Sequence, residues 1–130
     1  MKRCMLVLGC SLLTAVPLTA GDDLAGTWAL KTSFEWLPDL ECAFKQAGAE
    51  LNGTCATSQR ALDVAAGRVD ADAVTWRLDA AGSAPNGATV SYSFSGALDP
   101  NRAVVKGTVT AFDQSGSFPS RQGTFSASKR

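Results

Sequence analysis

Histidine is missing from this 130-residue chain, and that absence narrows its chemistry. Without an imidazole there is no Cys–His or Ser–His–Asp catalysis, and the common zinc donor sets are lost too. Carboxylates remain. Glu35 and Glu41 lie on opposite sides of Pro38, and a pair of carboxylates can do acid–base work, although solvated rim charge is the ordinary role of such residues. Asp70, Asp72, Asp99 and Asp113 stand in or beside turn sequences, where an Asp side chain caps local amides. Asn52-Gly53-Thr54 matches the glycosylation sequon, which matters only in a eukaryotic secretory pathway. No glycine-rich phosphate loop follows a strand and opens a helix. The residues that stand out are aromatic: Trp28, Trp36, Phe44, Trp76, Tyr92 and Phe94. Gathered on one face, they would offer apolar contacts to a small ligand. The expected class is therefore a non-enzymatic binding protein without cofactor or metal.

The N-terminus bears on the compartment. Met1-Lys2-Arg3 is a basic start, Cys4–Val16 is an apolar run, and Pro17-Leu18-Thr19-Ala20 ends in a small residue ahead of acidic Asp22-Asp23. That is the pattern of a secretory signal peptide over residues 1–20, cleaved after Ala20, with a secreted or periplasmic mature chain. Val7-Leu8-Gly9-Cys10 admits another reading, a lipoprotein signal with Cys10 acylated. Neither the leader nor any later segment is long and apolar enough for a transmembrane helix. Removing Lys2 and Arg3 leaves ten basic residues against twelve acidic ones, a net charge of −2. With no basic stripe, a nucleic-acid partner is not expected. The remaining candidates are a small apolar molecule or another exported protein.

Losing Cys4 and Cys10 with the leader leaves Cys42 and Cys55, an even count for an oxidising compartment. Fold the intervening chain back antiparallel with Cys42 facing Cys55. Phe44 then falls opposite Gly53, Gln46 opposite Leu51 and Ala47 opposite Glu50, with Gly48-Ala49 as a two-residue loop. Glycine first in that loop supplies the positive φ of a type II′ turn. The hairpin predicts a cross-strand disulfide.

Elsewhere, apolar and polar residues alternate at period two between clusters of Gly, Pro, Asn and Asp. Eight strands are predicted near 26–36, 40–46, 50–57, 60–69, 73–79, 88–98, 102–112 and 118–128. Ala65-Ala66-Gly67 interrupts the alternation of the fourth. Short links throughout predict one all-β domain over residues 21–130, an eight-stranded antiparallel up-and-down β-barrel with no exposed edge. Parity places Trp28, Phe34, Trp36, Phe44, Trp76, Tyr92 and Phe94 on the inner face. Lys31, Glu35, Thr75, Arg77, Ser91, Ser93 and Lys106 go outside. Gly53, Gly96, Gly107 and Gly123 also fall inside, where a closing barrel needs bends and close approaches. Such an interior either opens into a ligand cavity or is filled by its own side chains.

Gly26-Thr27-Trp28, early in the first strand, resembles the G-x-W signature of lipocalin and wider calycin barrels. The resemblance implies a Trp28 that closes one end of the core under a basic residue near the last strand, for which Arg121, Lys129 and Arg130 are the candidates. The chain is shorter than a lipocalin and lacks the C-terminal helix. In size it is similar to avidin-like barrels and to secreted bacterial metalloprotease inhibitors. The latter resemblance implies a protein-binding role through an N-terminal tail, here Gly21–Ala25. Leu51–Cys55, Gly67–Trp76, Tyr92–Asp99, Val105–Val109 and Gly123–Arg130 together resemble small exported bacterial β-barrel proteins without an assigned role. For such a protein an envelope structural or interaction role is a further possibility.

Overall fold

A computed structural model describes residues 24–83, 86–116 and 119–130. The proposed leader, Cys4, Cys10 and Gly21–Asp23 lie outside the described residues. Eight strands run in chain order: β1 Gly26–Thr32, β2 Leu40–Ala47, β3 Glu50–Ala56, β4 Ala61–Asp70, β5 Ala73–Ala80, β6 Val90–Leu98, β7 Val104–Asp113 and β8 Arg121–Lys129. Each pairs antiparallel with its neighbour in sequence, and β1 pairs with β8, so the sheet closes into a barrel. The fold class is therefore the one the alternation predicts. Closure matters physically because it leaves no strand edge with unpaired amides.

The β2–β3 hairpin has the predicted register: Cys42 faces Cys55, Phe44 faces Gly53 and Ala47 faces Glu50. Gly48 has φ +60°, and Ala49 is not among the residues with positive φ, as a II′ turn requires. Cys42 and Cys55 are bonded and wholly buried on the inner face. The interruption in β4 proves to be a bulge within a continuous strand. Between Ala65↔Arg77 and Arg68↔Thr75, Ala66 and Gly67 together oppose Trp76 alone, and Ala66 has φ +52°. An extra residue of this kind bends a strand and raises its twist, which helps the sheet to close.

One core runs through the barrel. Leu30, Leu51, Val74, Leu78, Val105 and Val109 are buried between the aromatic residues. Gly96 faces Gly107 across β6 and β7. A Cβ at Gly96 would stand 2.8 Å from the Phe125 ring, so this glycine is what lets that ring lie against the sheet.

Two side chains depart from the parity reading. Trp36 is 52% exposed, because β1 ends at Thr32 and the chain turns over 33–37 instead of running on as a strand. Ser91 has outward parity on β6 yet is fully buried, since its neighbours on that face fold over it, as described below.

Candidate functional site

The two ends of the barrel are built differently. At one, the links are short: Gly48-Ala49, Ala71-Asp72 and residues 99–103. At the other stand the four longer links, 33–39, 57–60, 81–89 and 114–120, of which 84–85 and 117–118 lie outside the described residues.

The short-turn end is closed. Leu24 is buried, its N–H donates to Gln46 Oε1 at 3.0 Å, and its carbonyl accepts the indole N–H of Trp28 at 3.0 Å. Trp28 is completely buried, and Lys129, its partner in the β1–β8 register, holds Nζ 5.8 Å from the ring centroid. A charged group over an indole face is attracted by the ring quadrupole. Lys129 is thus the basic residue over Trp28, while Arg130 pairs with Glu41 at 3.2 Å.

The middle is occupied by rings. Trp76 stacks on Phe94 at 4.7 Å, with Phe44 and Phe125 edge-on to it, each at 5.3 Å. All four are at most 5% exposed. Offset stacking and edge contacts are the favoured arrangements of aromatic quadrupoles. Phe44, Trp76 and Phe94 are therefore committed to one another.

The loop-bearing end presents the remaining two predicted residues. Trp36 stacks on Phe34 at 4.5 Å and donates its indole N–H to the Tyr92 hydroxyl at 3.1 Å; Phe34 lies 6.3 Å from the Tyr92 ring. The segment that carries Trp36 is moored to β8. Ser33 N–H donates to the Thr124 carbonyl, Thr124 N–H donates to Ser33 Oγ, and the Phe34 ring sits over Gly123, where a Cβ would stand 2.9 Å from it. Phe34 is buried beneath Trp36, and Tyr92 is 3% exposed. Trp36 is the only large exposed hydrophobic side chain among the described residues. Burial pushes the Tyr92 hydroxyl above the usual phenol range, and the hydrogen bond from Trp36 offsets part of that rise.

Asp113 belongs to this end as well. Residue type predicts a turn role for it, and it does cap Ser115: Oδ1 accepts from Ser115 N–H at 2.8 Å and from Ser115 Oγ at 2.7 Å. It is also the last residue of β7, opposite Val90 and 8% exposed. Carrying the inward parity of Val105, Val109 and Ala111 two residues further would have found it. Its Oδ2 is buried without a hydrogen-bond partner, as is Trp76 Nε1 deeper in the core.

Outside the wall lies a polar chain. Ser91 Oγ donates to Asp79 Oδ1 at 2.6 Å, Arg77 donates to both oxygens of Asp79, and Gln114 Nε2 donates to Ser91 Oγ at 2.8 Å. The Ser91 hydrogen bond, ahead of Arg77, holds the Asp79 carboxyl below its usual range. This chain ties Gln114, the first residue after β7, to the barrel wall. Elsewhere, Glu35 is exposed in its loop and Glu41 is occupied by Arg130. Among the described residues, no group of three or more Asp, Glu or Cys is placed to hold a metal ion, and no helix is long and apolar enough to cross a membrane.

No family model matches this chain, and neither a curated protein nor a solved structure does. The functional reading therefore rests on the side chains themselves.

Proposed function

We propose that the protein is an exported, non-enzymatic binding protein that takes a small, mostly apolar ligand at the loop-bearing end of its barrel. The observation that carries this reading is Trp36: half in solvent, stacked on Phe34 and hydrogen-bonded to Tyr92. An aromatic plate exposed to water yet held rigidly is what an apolar ligand can cover at little ordering cost. The rings of the middle are satisfied by each other, so Phe44, Trp76 and Phe94 act as the floor behind the contact, and Trp28 closes the far end. A calycin-like relationship, with Trp28 under Lys129 at the closed end, accords with this reading.

Titration of the purified protein with flat apolar probes tests it. The Trp36 indole N–H resonance should move while those of Trp28 and Trp76 stay in place, and Trp36→Ala should abolish binding. Probes that leave the Trp36 resonance untouched would remove the reading.

A protein partner is the second reading, since exposed tryptophans often anchor protein interfaces. An inhibitor that works through an N-terminal tail is less well supported. Leu24 is buried and its amide is held by Gln46, so the chain from Leu24 onward is part of the barrel. Micromolar protein that leaves secreted metalloproteases fully active would remove that version.

A further inference from the structure

We infer that the ligand taken at this end carries a hydrogen-bond-donating, positively charged head, and that Asp113 receives it. The inference rests on the aromatic rim reading above and adds the polar half of the ligand. A carboxylate with one oxygen satisfied and the other buried without a partner is costly to keep. An orphan of this kind in a native fold calls for an explanation, and a group from outside the chain that completes it is one.

Asp113 is such a group. Its Oδ1 is engaged by both donors of Ser115, and its Oδ2 has none. Among the described ion pairs no arginine or lysine reaches it: Arg77 is committed to Asp79, Arg102 to Asp72 and Arg130 to Glu41. Its position is fixed from both sides, because the Ser115 hydroxyl that holds it also meets Asn86 Nδ2 from the 81–89 segment.

Register places this carboxylate beside the aromatic rim. Val90 is opposite Asp113 and Tyr92 is opposite Ala111, so Tyr92 and Asp113 are diagonal neighbours on the inner face, within reach of one small molecule. Tyr92 in turn holds Trp36. A ligand with a flat apolar body and an ammonium head satisfies both halves: the body covers Trp36, and the head donates to Oδ2. A carboxylate head would meet Asp113 with like charge.

Three probes of one shape decide it: naphthylmethylammonium, naphthylmethanol and naphthoate, titrated by calorimetry with the indole N–H resonances followed in parallel. The ammonium should bind about tenfold tighter than the alcohol, as a charge-assisted hydrogen bond implies, and naphthoate should bind weakest. Asp113→Asn keeps an oxygen for Ser115 and should narrow that gap, because it weakens the ammonium's binding more than the alcohol's. Should this variant not fold, the carboxyl carbon resonance of Asp113 in the wild type serves instead, and it should shift more with the ammonium than with the alcohol and stay in place with naphthoate. Equal binding of all three probes, with Trp36 shifted, overturns this inference and leaves the rim reading intact. No shift of Trp36 with any probe removes both.

Discussion

Trp36 donates its indole N–H to the hydroxyl of Tyr92 across 3.1 Å, joining residues 56 positions apart in the chain. Tyr92 is the one tyrosine, so alkaline titration of phenolate absorbance reads this contact directly. The midpoint should lie above the ordinary tyrosine value near ~10, because burial disfavours the charged form more than the indole donor favours it. The sign for stability follows. A folded-state value raised above the unfolded one adds stability that is fully present below about pH 10 and is lost as pH climbs through the folded value. Trp36→Phe keeps much of the cover and drops the donor, so it should raise the Tyr92 midpoint further. A lowered midpoint in this variant would contradict the hydrogen bond.

Acrylamide quenching checks the same region independently. Trp28 and Trp76 are at most 2% exposed whereas Trp36 is 52% exposed, so a single class of indole should be accessible. In Trp36→Phe the remaining fluorescence should resist quencher. The loss of the hydrogen bond should lower stability by about 0.5–1.5 kcal/mol, the usual net worth of such a bond, as read from chemical denaturation.

At the closed end, Trp28→Ala should cost about 3–5 kcal/mol, because it empties a fully buried site and frees the Leu24 carbonyl that its indole satisfies. Lys129→Ala removes the cation over the ring, a contact worth about 0.5–1 kcal/mol. The comparison is made by urea denaturation of both variants. A lysine variant as damaging as the tryptophan variant would mean that Lys129 does more than cover the ring.

What the sequence disclosed, and what it hid, divides along a physical line. Strand order, the hairpin register and the disulfide were legible because period-two alternation and turn chemistry are local. Trp36 was misplaced because parity assumes that a strand continues. Nothing local in Thr32-Ser33-Phe34 says that the strand ends here, after one last exchange between Ser33 and Thr124 of β8. Asp113 was legible only in part. Its turn role follows from residue type, while its inward face depends on β7 running one residue past Phe112. Ser91 was hidden because its burial comes from side chains on β5 and after β7 that meet only in the closed barrel.

That outer cluster predicts an acid response. Asp79 is held below the usual carboxylate range by Ser91 first and by Arg77 next. A folded value lowered beneath the unfolded one adds stability that is present above about pH 4 and disappears as pH falls through the folded value. Ser91→Ala should therefore raise the titration midpoint of the Asp79 carboxyl carbon toward the ordinary range and make the barrel less resistant to acid. An unchanged midpoint would show that Arg77 alone sets it.

The disulfide can be weighed separately from everything above. Cys42 and Cys55 close a loop of sequence separation 13 whose register is already set by the Gly48 turn and the β2–β3 ladder. Even so, the bond removes freedom from the unfolded chain, and chain-entropy arguments put its worth at roughly 3 kcal/mol for a loop of this length. Replacing both residues, Cys42→Ala with Cys55→Ala, also deletes two buried sulfur atoms from the core, which adds to the loss. The double variant should be less stable by about 2–5 kcal/mol while keeping the barrel's circular-dichroism signature. The comparison with reduced wild type separates the two causes, because reduction cuts the bond and leaves the sulfur atoms in place. If reduced wild type and the double variant melt with the oxidised protein, the hairpin ladder alone fixes this part of the wall.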